Sequence, residues 1–299
     1  MDDTIRGLKQ AALAAWEPIA KRAGRAYVAG PRITDALTLS RQFWDAGMGV
    51  VVCFWNGENT SPRIVANRAL ATLESFAEAD GDHYLAIKAP ALGFSRDLVR
   101  EIVTRATLSS ARVHFDAQRP EAVEKTRALA ESVMGGGTTI GFTLPGRFSR
   151  SVRDAAWAIR RNVPVRVVKG QVPDPAAPEL DPRAGFLAVI DALAGRARHV
   201  GVASHDAPLV RQALQRLVSN GTPCELELLL GLPFGPALRE ARTFGVPVRV
   251  YVPFGEGRLP YHFTEVRHNP RVLAWLARDL WRAERAPRAK VPGWTSAPA

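Results

Sequence analysis

The sequence predicts an α/β protein, a (β/α)8 barrel of the TIM type with an N-terminal helical extension. Two observations carry that expectation. Eight short runs rich in β-branched and apolar residues recur along the chain, and longer segments with apolar residues three and four apart fall between them. A third observation removes the main rival. No G-x-G-x-x-G or P-loop pattern occurs, so a doubly wound open sheet would lack its usual phosphate turn.

Residues 1–48 precede the first strand and show helical patterning over Ile5–Arg22 and Thr34–Ala46. Strands are expected at Gly49–Trp55, His83–Ala89, Arg112–Asp116, Thr138–Leu144, Val165–Lys169, His199–Ser204, Cys224–Leu230 and Val246–Val252. Several read as near-continuous apolar runs, as strands covered on both faces do. The clearest helices are expected at Asp97–Ala106, Glu121–Val133, Ala184–Leu193 and Ala207–Val218, each with one apolar face. Gly195, Gly221 and Gly245 follow helical segments, where C-caps belong. The barrel is expected over 49–285, and the basic, Pro-rich stretch 286–299 as a flexible tail.

Composition excludes several classes. The 299 residues are 46% hydrophobic and 23% charged, ordinary for a globular protein. The net charge of +11 comes from basic residues spread along the chain, apart from Arg160-Arg161 and the stretch from Arg282 to Lys290. Nucleic-acid binders concentrate such charge in a stripe, so no nucleic-acid partner is expected. The only cysteines, Cys53 and Cys224, are far apart within apolar runs, which argues against a metal site or a disulfide framework. The acidic start Asp2-Asp3 and the lack of a long apolar run suggest a cytoplasmic protein with at most peripheral membrane contact.

In a β/α barrel, polar residues near the carboxyl ends of strands point into the active site. That rule selects Gly57-Glu58, Lys88, Asp116, Arg166, Lys169, His205, Glu225, Glu227 and Tyr251. Charged groups in apolar strands are costly unless paired or functional. As a group, Lys88, Asp116, Arg166 and Lys169 read as an active site. Glu225 and Glu227 read equally well as an ion pair within the barrel.

Seven short segments, in chain order, resemble the proline dehydrogenase family. They are Asn56–Glu58 (NGE), Lys88–Gly93 (KAPALG), Phe115–Gln118 (FDAQ), Val165–Gly170 (VRVVKG), Ala203–Asp206 (ASHD), Glu225–Gly231 (ELELLLG) and Arg249–Gly255 (RVYVPFG). The resemblance implies a distorted β/α barrel holding FAD and an oxidation of proline to pyrroline-5-carboxylate. It places Arg166, Lys169, Gly170, Ser204, His205, Glu225 and His268 toward the cofactor. It places Lys88, Asp116, Leu229, Tyr251, Tyr261, Thr264 and Glu265 toward the substrate, with Lys88, Asp116 and Tyr251 nearest the chemistry. It also implies a quinone or another electron acceptor as partner.

The sequence departs from the family pattern in four places. The family pairs two arginines, which grip the substrate carboxylate, in Y-L-x-R-R-x-x-E-N. The matching segment, Tyr261–Asn269 (YHFTEVRHN), has Thr264 and Glu265 there and His268 for the Glu. Pro145 replaces a Gln at the end of strand four, Gln171 and Val172 replace the residues after K-G, and Glu227 replaces a Gln. A glutamate facing a carboxylate repels it, so the expected substrate is a small amine or amino acid other than free L-proline. Authentic proline dehydrogenase and a barrel that has become a binding subunit are the alternatives.

Overall fold

The backbone folds around a barrel whose eight parallel strands follow one another in chain order and close on themselves. The computed structural model describes residues 22–77, 79, 81–116 and 119–257. The strands are β1 (Gly49–Trp55), β2 (His83–Ile87), β3 (Arg112–Phe115), β4 (Ile140–Pro145), β5 (Val165–Val168), β6 (Val200–Ala203), β7 (Cys224–Leu229) and β8 (Val248–Gly255). The seam between β8 and β1 is the longest ladder, running from Gly49 opposite Arg249 to Trp55 opposite Gly255. Helix α1 (Ile33–Asp45) precedes the barrel. Between successive strands lie α2 (Pro62–Phe76), α3 (Arg96–Leu108), α4 (Val123–Glu131), α5 (Ser151–Arg160), α6 (Pro182–Leu193), α7 (Ala207–Ser219) and α8 (Gly235–Phe244).

Local chemistry explains the boundaries. Ser61, Ser95, Asp181 and Asp206 cap α2, α3, α6 and α7 by accepting first-turn N–H groups. Pro62 and Pro236, which look like breakers in the sequence, sit in the first turns of α2 and α8, where a missing N–H leaves no gap. Periodicity alone did not reveal these two helices, nor the ten-residue α5. Strand two ends at Ile87 rather than Ala89, because the Lys88 carbonyl turns to accept the Ala91 N–H. Strand four runs from Ile140 to Pro145 instead of from Thr138 to Leu144. The last strand begins at Val248, not Val246, whose N–H bonds the Ala241 carbonyl at the end of α8.

Two layers of side chains fill the structure. The outer layer lies between strands and helices and is mostly apolar where it meets the strands, with Val50, Val52, Leu85, Ile87, Val113, Phe115, Val165 and Val167 buried and His83 of β2 against the Phe76 ring. The inner layer, on the barrel axis, includes the small cluster of Val51, Cys53, Tyr84 and Ala86, with Trp55 and Tyr251 against it. Among the described residues, no helix is long and apolar enough to cross a membrane. The masses of apolar contact therefore sit outside the strands, and the axis is left for polar groups.

Candidate active site

Alternation along each strand sends every second side chain to the axis. On β3 these include His114, with Asp116 just past the strand's end; on β5 Arg166, on β7 Glu225 and Glu227, and on β8 Arg249 and Tyr251. Barrel interiors are usually filled by bulky branched residues, whereas this one buries Asp116, Arg166, Glu225, Glu227 and Arg249. Three glycines make the room. A Cβ on Gly49 would lie 2.5 Å from Arg249 Nη1, and Cβ atoms on Gly141 and Gly201 would come too close to His114 Nδ1 and Glu227 Oε1.

Arg166 is the centre of the upper cluster and is 3% exposed. Its Nε donates to Glu227 Oε2 at 2.6 Å, Nη1 to Asp116 Oδ1 at 2.5 Å and Nη2 to the Tyr84 hydroxyl at 2.8 Å. Tyr84 in turn donates to Glu227 Oε1 at 2.8 Å, and Tyr251 donates to Asp116 Oδ2 at 2.5 Å. The Tyr251 ring also faces the guanidinium, its centroid 5.1 Å from Arg166 Cζ. Burial pushes both phenols well above their ordinary pKa, so both keep their protons. Burial works against the Glu227 carboxylate, but Arg166, Arg249 and the Tyr84 hydroxyl outweigh it and hold the group below the usual range. Cys53 lies 3.9 Å from Asp116 Oδ2, and burial raises its thiol to about 11.

The lower cluster closes the other end. Arg249 donates to Glu225 at 2.8 Å and to Asp82 Oδ2 at 2.5 Å, and also reaches the Val50 and Asp82 carbonyls. A cavity of about 20 Å³, lined by Tyr84, Arg112, His114, His199, Glu225 and Glu227 among others, lies at this end. It has room for about one water. Burial pushes the His114 ring well below its ordinary pKa, and Nε2 meets the Thr143 hydroxyl at 2.9 Å.

At the carboxyl ends of the strands the structure gathers most of the expected residues. Asp116 and Tyr251 are joined, and Lys88 holds its ammonium 5.2 Å from the centroid of Trp55. Leu229 and Tyr251 are both partly exposed there. Lys169 stands just past the end of β5, its side chain 41% exposed and 3.6 Å from Asp206, which also pairs with Arg183. Gly170 follows with φ of +89°, a left-handed conformation suited to glycine.

Several expectations need correction. Glu225 was expected near the cofactor, but it is 4% exposed at the second position of β7 and locked to Arg249 at the barrel's opposite end. His205 uses both ring nitrogens inside the chain: Nδ1 meets the Pro233 carbonyl at 3.0 Å, and Nε2 accepts from the Leu229 N–H at 2.8 Å. Its ring is a latch on the end of β7. Ser204 accepts from the Asp206 N–H at 3.2 Å, so its hydroxyl shapes the turn into α7. Arg166 is not an isolated cation; two carboxylates already meet it. Gln118, Tyr261, Thr264, Glu265, Arg267, His268 and Asn269 lie outside the described residues. Among the described residues, no group of three metal-ligating side chains converges.

Sequence reasoning missed Tyr84, Cys53 and Trp55 as members of this site. The signal was available. Tyr84 stands two steps of alternation before Lys88 and so points the same way as that named residue, and Cys53 and Trp55 share one face of β1.

The fold and site define a class: a (β/α)8 barrel with its acid, phenol and ammonium groups gathered where barrel active sites lie. No protein-family model matches the chain. It is similar to Proline dehydrogenase 1 of Bacillus subtilis subsp. natto, 22% identical over 274 residues, covering 86% of this chain and 90% of that protein. The same-named protein of Bacillus subtilis (strain 168) matches at 22% over 275 residues. Among solved structures, proline utilization A (PutA) from Bdellovibrio bacteriovorus, inactivated by N-propargylglycine, superposes with a TM-score of 0.66 at 15% identity, over 90% of this chain. PutA from Corynebacterium freiburgense superposes with a TM-score of 0.65 at 16% identity, over 98% of this chain. This chain spans about a third of the length of those two, 33% and 35%. The resemblance to the proline dehydrogenase family read from the seven motifs is thereby borne out in sequence, and the barrel in structure.

Proposed function

We propose that this protein is a FAD-dependent oxidoreductase that acts on the CH–NH group of a small secondary amine, imino acid or amino acid, and passes the electrons to a quinone or another acceptor. The carrying observation is that Lys88, Asp116, Leu229 and Tyr251 stand toward the carboxyl ends of four different strands, with Asp116 and Tyr251 joined to each other and both against Arg166.

The residues suit a flavin. The mouth has partly exposed aromatic and aliphatic surface at Trp55, Tyr251, Leu229 and Val168 for a flat ring. Lys169 at its rim offers a solvent-facing ammonium for an anionic linker. FAD would supply the hydride acceptor. The chain supplies the rest. Lys88, steadied over the Trp55 ring, attracts an anionic group of the substrate. Leu229 offers an apolar wall. Tyr251 keeps its proton on Oη and gives it as a hydrogen bond to Asp116 Oδ2, which fixes that carboxylate's direction. Arg166 holds the other oxygen.

The test is anaerobic bleaching of the flavin-loaded protein by a panel of secondary amines, imino acids and amino acids. A yellow protein bleached by one of them is expected. A colourless protein that takes up no added FAD refutes the reading and favours a binding barrel. A second reading is L-proline itself as substrate, favoured by the two similar proteins named Proline dehydrogenase 1. Rapid bleaching by sub-millimolar L-proline decides for it. Slow bleaching by proline beside fast bleaching by another amine decides for the altered substrate that Thr264 and Glu265 suggest.

A further inference from the structure

We propose that Glu227 is a positioning residue that fixes the Arg166 guanidinium on the barrel axis and gives the buried cluster beneath the mouth an excess of negative charge, which lowers the reduction potential of a flavin bound there. The inference rests on the FAD reading above.

Position comes first. Glu227 is 4% exposed and spends one oxygen on Arg166 Nε and the other on the Tyr84 hydroxyl. Arg166 is held from three sides, by Glu227, Asp116 and Tyr84, on three other strands. The chain leaves space for this arrangement at Gly201 on the neighbouring strand, which pairs with Glu225 in register and whose Cβ, if it had one, would run into the Glu227 carboxylate. A side chain there would force the carboxylate away from Arg166.

Charge follows from the same contacts. Among the side chains buried on the axis, three carboxylates (Asp116, Glu225 and Glu227) face two guanidiniums (Arg166 and Arg249), while the more exposed Asp82 and Lys88 stand outside this buried set. Arg249 is already matched by Glu225. Asp116 alone would match Arg166, so Glu227 makes the surplus. Buried charges are weakly screened, and the cluster reaches the mouth through Asp116, which is 8% exposed. A fixed negative charge near a flavin opposes the addition of electrons to it.

The test is Glu227→Gln, which keeps the side chain's shape and removes its charge. The midpoint potential of the FAD-loaded protein is measured against reference dyes. An upward shift equivalent to at least about a tenfold change in the two-electron equilibrium, ~30 mV, is expected. Glu225→Gln, the same change beside Arg249, is expected to shift it less. A smaller shift from Glu227→Gln, or an equal one from Glu225→Gln, overturns the inference while leaving the flavin reading intact. So does a Glu227→Gln protein that fails to fold, because Asp116 still matches Arg166 and the variant buries less net charge. Failure of the unaltered protein to bind FAD overturns both.

Discussion

Replacing Arg249 by methionine should destabilise the barrel at its closed end without touching the mouth. The side chain is 3% exposed and bonds Glu225 and Asp82 as well as two backbone carbonyls. Methionine fills similar space but leaves the Glu225 carboxylate, 5% exposed, with no guanidinium. Breaking a buried pair from one side costs roughly 3–5 kcal/mol, because an uncompensated charge stays buried. Asp82, with 64% of its side chain exposed, is rescued by water and adds little. For a domain of this size the loss corresponds to a fall in melting temperature of roughly 10 °C. Urea denaturation followed by circular dichroism gives the free energy, and calorimetry gives the temperature. The double variant Arg249→Met/Glu225→Leu should recover much of the loss, since removing both partners removes the stranded charge. A single-variant loss below about 1 kcal/mol, or a double variant no better than the single, would refute the account of Arg249 and Glu225 as the barrel's lower clamp.

Two further outcomes are expected. Burial lowers the His205 pKa to about 4, against the opposing pull of the Pro233 carbonyl. An unfolded histidine takes its proton near pH ~6.5, so the contribution of the neutral ring is complete above that pH and is lost as the pH falls through 4. NMR titration of the ring checks this, and a midpoint near 6.5 contradicts the latch. Lys169→Ala should weaken FAD binding about tenfold and flatten its salt dependence, because one exposed, charge-assisted contact disappears; unchanged affinity in a fluorescence titration would remove Lys169 from the cofactor site.

The sequence by itself determined the eight strands, their parallel order and the residues at their carboxyl ends, because burial on both faces writes apolar runs whose few ionisable residues stand out. Lys88, Asp116 and Tyr251 were legible for that reason, and Leu229 only through the family resemblance. α2 and α8 were not legible, although Pro62 and Pro236 in their first turns are start signals of the same kind as Pro182 and Pro208 in α6 and α7. What only the tertiary structure decided is which charges face which. Glu225 and Glu227 differ by one step of alternation, yet one clamps the closed end with Arg249 and the other holds Arg166 below the mouth. His205 likewise looked like a ligand and is spent on Pro233 and Leu229. Strand position fixes the direction of a side chain, whereas its partner comes from strands up to 199 residues away, brought within reach only by closure of the barrel.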